Sequence, residues 1–338
     1  VAAVNLAELE ESNEEMILSF LAEGGADFIS GATLSDKLGL SRAAVWKHVE
    51  TLRRLGYTIE AQPARGYRLL KVPDRLTSLE LSPLLATREF GRTLHYFEAV
   101  GSTNAQAFEL AHDGALHGEV VIAETQTAGK GRRGRGWVSP AGKNLAMSVI
   151  VRPDIPPTRA PELTLVAAVA LAETLQEAGA VASIKWPNDV QLDGKKAAGI
   201  LTELSADTER VHFVIVGLGV NLNSVAADFP PDVQPNAISL LDARGQQVPR
   251  ALFTAALMTK LEQWFDRWQE EGFAPVREAW KSFASLLGNE VLVRVDTREF
   301  RGIAEDIDEA GALLVRVDDR IERVLAGDVE QVRLRPGQ

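Results

Sequence analysis

Gly129-Lys130-Gly131-Arg132-Arg133-Gly134-Arg135-Gly136-Trp137 is the stretch on which the reading of the fold turns. Its spacing Gly129-x-Gly131-x-x-Gly134 matches a dinucleotide fingerprint, and it follows the apolar run Val120-Val121-Ile122-Ala123. A dinucleotide site needs a helix next, because the helix N-terminus holds the pyrophosphate. Here Trp137-Val138-Ser139-Pro140-Ala141-Gly142 leads into Leu145-Ala146-Met147-Ser148-Val149-Ile150-Val151, which reads as a strand. The dinucleotide reading fails on that context. A solvated basic loop and a phosphate cradle between two strands remain. Glycines allow close backbone approach and the interleaved cations suit a polyanion, which favours the cradle.

The 338 residues allow two or three domains, and 46% apolar with 25% charged residues is ordinary globular composition. With no cysteine there is no disulfide, thiolate metal site or cysteine nucleophile. No apolar run is long enough to span a bilayer, and the start, Val1 to Glu15, is acidic rather than basic and then apolar. A cytoplasmic protein without a membrane partner is expected. The formal net charge of −11 argues against general coating of nucleic acid, but a whole-chain sum hides local faces.

Residues 1–75 show such a face. Thr33-x-x-Asp36 predicts a capped helix from Thr33 to Leu40, closed at Gly39. Ser41 then caps a second helix with Val45, Val49, Leu52 and Leu55 at helical spacing, and an earlier helix supplies Ile17, Leu18 and Leu21. This is a helix-turn-helix. Tyr57 to Ala61 and Tyr67 to Leu70 flank a turn and form a wing. From Thr33 to Lys71 eight cations face three acids, the footprint that phosphate contacts require. Ser41, Arg42, Trp46, Lys47 and Arg53 on the second helix, with Arg65 in the wing, are the candidate DNA-binding residues.

Residues 76–286 follow the linker Val72-Pro73-Asp74 and mix strand-like runs with helices, among them Pro161 to Glu177. Gly101-Ser102-Thr103-Asn104 opens a helix, for which capping alone is a sufficient role. In Lys185-Trp186-Pro187-Asn188-Asp189 the proline fixes a rigid corner after a strand and Asn188-Asp189 favours a turn, so Lys185 can be aimed; a solvated lysine is the plain alternative. Gly217-Leu218-Gly219-Val220-Asn221 allows a flat ligand to approach, and Asn221 is able to read an adenine-type edge.

Taken in this order, with Gln126-Thr127-Ala128 before the basic loop and Lys196-Ala197-Ala198-Gly199-Ile200-Leu201 after the corner, these motifs resemble those of the biotin protein ligases. The winged helix in front is similar to that of members that also act as repressors. The resemblance covers nearly the whole chain. It implies an α+β multidomain protein: an N-terminal winged helix-turn-helix, a central mixed α/β domain of the biotin/lipoate ligase type, and a small SH3-like β-barrel over 287–338, where short strand-like runs lie between turn signals.

The resemblance also implies an activity: biotinyl-adenylate made from biotin and ATP with magnesium, then biotin transferred to a lysine of a carboxylase carrier domain. Ser102, Thr103, Gln126 and Gly199 would contact biotin, and Asn104 would lie beside the acyl-adenylate. Lys130, Gly131 and Arg132 would close over the intermediate, with Arg135 and Trp137 on the nucleotide side. Lys185 would hold the reacting carboxylate and phosphate, and Asn221 the adenine. Lys185 and Arg132 are the candidate catalytic groups. Many members carry arginine where Lys130 stands, and lysine keeps the charge without the bidentate fork. No all-protein metal site is visible. A homodimer of the adenylate-bound chain on operator DNA is expected. A ligand sensor without catalysis and a lipoate ligase are the alternatives, and the Arg-Arg-x-x-Gly-Gly-Gly signature of the latter is absent.

Overall fold

The computed structural model describes residues 13–295 and 297–332. Most of the acidic start, residues 1–12, lies outside the described residues, as does Arg333, the expected end of the last strand. The chain divides into two compact units, Val1–Leu84 and Leu85–Gln338.

The first unit holds α1 (Asn13–Glu23), α2 (Gly31–Leu38), α3 (Arg42–Arg54), the antiparallel hairpin of β1 (Thr58–Gln62) and β2 (Gly66–Lys71), and the short α4 (Ser78–Leu81). Ile17, Leu18, Leu21, Val45, Val49 and Leu52 form the expected core. The start of α2 differs from the expectation. Ser30, on extended backbone, accepts from Thr33 N at 3.0 Å, so the cap is Ser30 and the helix opens at Gly31. Ser41 caps α3 as expected, accepting from Ala44 N at 3.2 Å. The unit also runs past the expected boundary at 75. Leu79 packs against its core, and the Tyr57 hydroxyl donates to buried Glu80 at 2.6 Å. Burial, then Glu80, pushes that phenol above its ordinary range.

The second unit is built on a seven-stranded mixed sheet. Its strands are β3 (Leu94–Val100), β4 (Val120–Gln126), β5 (Leu145–Val151), β6 (Ala182–Lys185), β7 (Asp189–Leu192), β8 (Lys195–Ala206) and β9 (Val211–Val220). They lie in the order β3-β4-β5-β9-β8-β7-β6, and only the β3–β4 pair is parallel. β5 is buried along its whole length, as a central strand covered on both faces should be. Ile150 packs with Val121, Phe213 and Ile215 against Ala107 and Ala111 of α5 (Thr103–His112). Val149 and Val151 face the other layer, α6 (Glu162–Glu177) and α8 (Arg250–Glu271), which follows the short α7 (Leu240–Arg244).

The sequence reading missed β7 and most of β8. Both open on charged residues, and β7 has only four residues. The signal that marks them is Asp193-Gly194, both at positive φ, a two-residue hairpin turn. After α9 (Ala274–Phe283) come β10 (Glu290–Val295), β11 (Arg298–Ile307), β12 (Leu313–Val317), β13 (Arg320–Val324) and β14 (Asp328–Gln331). They form an antiparallel sheet in the order β13-β12-β11-β10-β14, within the same compact unit as the seven-stranded sheet.

One buried ion pair joins α8 to β4. Arg250 Nη1 and Nη2 donate to Glu124 at 2.8 and 3.1 Å, and Nη1 also reaches the Asn144 carbonyl at 3.2 Å. Their side chains are 1% and 7% exposed, so removing one partner strands a charge in the interior. Arg250→Met is expected to cost about 3–5 kcal/mol, measured as a lower urea midpoint at unchanged slope.

Candidate functional site

All twelve ligand-site candidates line one cavity of about 580 Å³ in the second unit. Its floor is made where α5 meets β5 and β9. On one face of β9 the alternation runs Phe213, Ile215, Gly217, Gly219, so bulky residues under α5 give way to glycines under the cavity. A Cβ at Gly217 would overlap the Asn104 side chain, and one at Gly219 the Trp137 indole. The flat group against Gly219 is thus the chain's own tryptophan. Its buried indole N–H has no hydrogen-bond partner among the described residues.

Ser102, Thr103 and Asn104 are buried at the start of α5. Ser102 occupies the cap position but makes no side-chain capping bond, so capping does not account for it. Gln126 Oε1 accepts from Thr103 N at 2.8 Å, while its amide donates to Ser139 at 3.2 Å. Beneath them Ser148, fully buried on β5, bonds Thr103 Oγ1 at 2.8 Å and Asn104 Oδ1 at 2.7 Å. Ser148 went unremarked in the sequence because it sits inside an apolar run.

Lys185 ends β6, half-buried, and makes no hydrogen bond or ion pair through its side chain among the described residues. The Trp186–Pro187 peptide is cis. Asn188 is fixed by its amide on the Ile200 carbonyl at 2.8 Å and receives Arg132 Nη1 at 3.2 Å. Asp189 begins β7 and pairs with Lys196 at 2.6 Å. Lys196 in turn lies 5.7 Å from the centre of the Trp137 ring, above Gly199.

The basic loop folds back on itself. Trp137 N bonds Gly129 O at 2.9 Å and Gly131 N bonds Arg135 O at 2.6 Å. Arg132 reaches the Gly327 carbonyl at 3.4 Å, and Arg133 and Arg135 both pair with Asp328 of β14, at 2.9 and 2.7 Å. Arg135 therefore lines the cavity with Nη2 paired to Asp328 at the surface. Burial pushes the Arg132 guanidinium below its ordinary value, Asp328 opposes that and neighbouring Arg133 reinforces it.

Asn221 is 3% exposed, with Oδ1 accepting from the Asn144 side chain at 3.4 Å and Nδ2 donating to Ile238 O at 3.2 Å, which leaves one amide N–H for a base edge. Sequence reasoning also missed a wall formed by Phe229, Asp232, Val233 and Asn236. Lys143 ties down the start of that segment through both oxygens of Asp228, at 2.6 and 2.7 Å. Nothing periodic marks such a segment in sequence.

In the first unit Arg42, Lys47 and Arg65 are exposed, and Trp46 is 53% exposed although aromatic. The Arg65 guanidinium lies 4.2 Å from the centre of the Phe28 ring. Ser41 is engaged as the cap. Arg53 does not belong with the free cations. Its Nε and Nη2 donate to Ile59 O at 3.1 and 2.7 Å, and Nη1 pairs with Glu50 at 2.6 Å, so it braces β1 on α3.

Three stretches match family models: an HTH domain over 13–68, the biotin/lipoate A/B protein ligase family over 96–221, and the biotin protein ligase C-terminal domain over 286–331. The bifunctional ligase/repressor BirA of Bacillus subtilis is 40% identical over 315 residues, 93% of this chain and 97% of that protein. A biotin–[acetyl-CoA-carboxylase] ligase of Paracoccus denitrificans is 42% identical over 63% of this chain and 90% of its own length. The biotin protein ligase of Aquifex aeolicus, solved in complex with biotin and ATP, is similar with a TM-score of 0.63 at 26% identity, over 72% of this chain and 100% of that one.

The brace is testable by hydrogen exchange. Arg53→Met is expected to speed exchange of the β1 amides, whereas Arg42→Met leaves them unchanged. Equal protection in both variants would rule out the brace.

Proposed function

The chain belongs to the biotin/lipoate A/B protein ligase family, and from that premise we propose how its cavity and its winged helix are used. It is a biotin protein ligase and a repressor. Biotin's carboxylate oxygen attacks the α-phosphorus of ATP, pyrophosphate leaves, and biotinyl-5′-AMP remains in the cavity. The ε-amine of a lysine on a carboxylase carrier domain then attacks the acyl carbonyl and AMP leaves.

Negative charge builds on the phosphoryl oxygens and the departing pyrophosphate in the first step, so fixed cations matter more than a nucleophile. The observation that carries the assignment is Lys185: half-buried, facing the cavity, and unpaired among the described residues while Lys196, Arg133 and Arg135 are all paired. A cation in that state is preorganised for an anion. Arg132 supplies the second charge from the loop. The polar floor of Ser102, Thr103, Asn104 and Gln126, with Ser148 beneath it, suits the ureido ring of biotin, and the Trp137 ring and the Phe229 to Asn236 wall line the nucleotide side.

Magnesium enters as the counter-ion of the ATP phosphates, held mostly by water. Among the described residues no group of three or more His, Asp or Glu is arranged to hold a metal, and Asp189, the carboxylate beside Lys185, is engaged by Lys196.

The repressor role falls to Arg42, Trp46, Lys47 and Arg65, exposed on the recognition helix and the wing. Two copies joined in the adenylate-bound state would address paired half-sites of an operator. The substrates place this work in the cytoplasm.

Lys185→Ala is expected to lower biotin-dependent exchange of pyrophosphate into ATP by at least about 10²-fold, the usual loss on removing a preorganised charge-stabilising group. Exchange near the wild-type rate would remove Lys185 from the reaction. Incubation with ATP, biotin and a carrier domain is expected to add the mass of biotin to one lysine of the carrier.

A further inference from the structure

Lys185 stands between two residues that are each held from elsewhere. The carbonyl of Ile184 accepts two hydrogen bonds from Ser285, at 2.9 Å from its N–H and 3.1 Å from its hydroxyl. The indole N–H of Trp186 donates to the Gly311 carbonyl at 3.0 Å, in a buried contact. Ser285 lies at the entry to the C-terminal domain, and Gly311 in the turn between β11 and β12.

That turn is itself rigid. Gly311 N bonds Asp308 O at 3.0 Å, and Asp308 Oδ1 accepts from Ala310 N and Ala312 N at 2.9 Å each. Arg323 closes on the other carboxylate oxygen. Gly311 has φ +78, and a Cβ there would meet Leu165 of α6 at 2.7 Å, so the turn is seated against the helix layer under the sheet. Lys185 is therefore flanked by a held backbone carbonyl at Ile184 and a held side chain at Trp186, while its ammonium is unpaired among the described residues.

We propose that the Gly311 turn of the C-terminal domain and Ser285, just before that domain, serve adenylation as a positioning clamp on the residues on either side of Lys185. A lysine stem has four rotatable bonds, and fixing its origin narrows the space its ammonium samples. The clamp sets where that charge meets the reacting carboxylate and α-phosphate. It rests on the role given to Lys185 above. It is separate from the Asp328 contacts, which hold the loop and not the corner. Trp186 and Ser285 are positioning residues: Ser285 lies outside the cavity lining, and Trp186 borders the cavity but is 2% exposed.

The test uses full-length Trp186→Phe and Ser285→Ala chains in biotin-dependent pyrophosphate exchange, with KM for biotin and for ATP and the melting temperature recorded. Trp186→Phe keeps a ring but loses the donor. It is expected to lower kcat about tenfold or more, as small misplacements of a reacting group do. Both KM values are expected to stay within about twofold, the pattern for an interaction made in the transition state. Ser285→Ala, which keeps its backbone N–H bond, is expected to lose a smaller factor in kcat alone, and it decides the matter if Trp186→Phe does not fold. Wild-type kcat in the folded variants overturns the clamp, as does a fall in kcat matched by rises in both KM values. If exchange is lost in Lys185→Ala but kept in these two, the clamp alone fails. If it is kept in all three, the role of Lys185 fails as well.

Discussion

The missing side chains at positions 217 and 219 of β9 are what the rest of the site depends on. Up to Ile215 that face of the strand carries bulky residues that support α5. Had the pattern continued, Asn104 could not reach Ser148, and Trp137 could not lie down, so the basic loop could not fold back over the cavity. Glycine in a strand costs roughly 0.5–1 kcal/mol relative to alanine. β9 tolerates two because it is central, paired along its length with β5 on one side and β8 on the other. The sheet thus gives up local stability at one end to make a floor and a seat for the loop.

Much of this was legible in the sequence, and what was not has physical reasons. The failure of the dinucleotide fingerprint was decided by the apolar run from Leu145 to Val151, and the structure makes that run a fully buried central strand. The motifs around Ser102 and Lys185 carry a local constraint, a helix start and a proline corner, that is visible one residue at a time, whereas Gln126 and Gly199 were singled out by the resemblance alone; all four line one cavity. What pattern reading gets wrong is the use of a polar group. Asn221 sits in a suitable motif, yet its carbonyl oxygen and one of its two N–H groups are engaged by Asn144 and Ile238, partners 77 and 17 residues away. Arg53 sits on the expected face of α3, yet its donors reach across to Ile59. Whether a donor is free depends on tertiary neighbours, and spacing along the chain does not encode that. Ser148 and the Phe229 to Asn236 wall were missed for the same reason.

The winged helix shows how an acidic chain presents a basic surface. The acids nearest its cations are used internally: Glu50 on Arg53 and Glu60 on Arg68, at 2.6 Å each. Burial and Arg68 act in opposite senses on Glu60, and the hydrogen bond from Arg68 wins, lowering its carboxyl. Arg42, Lys47 and Arg65 stay exposed without a carboxylate ion-pair partner among the described residues, although Arg65 also donates to Gln62 at 3.0 Å. The face is made by a local excess of cations, with the few acids engaged in internal pairs.

The same economy separates two kinds of cation at the cavity. Arg133 and Arg135 share Asp328 at the surface, with side chains 43% and 71% exposed, and such pairs are worth about 0–1 kcal/mol each. An incoming phosphate exchanges readily with a carboxylate held so loosely, so these residues enclose a ligand without committing the empty protein to a closed loop. Lys185 is the opposite case. Its charge is unpaired among the described residues, but the Ile184 carbonyl before it and the Trp186 indole after it are held, and its corner is closed by Asn188 on Ile200. In a reaction with no covalent enzyme intermediate, rate comes from where charge stands at the moment pyrophosphate departs. Enclosure tolerates slack and charge placement does not, which is why one set of cations rides on a glycine-rich loop and the other ends a strand.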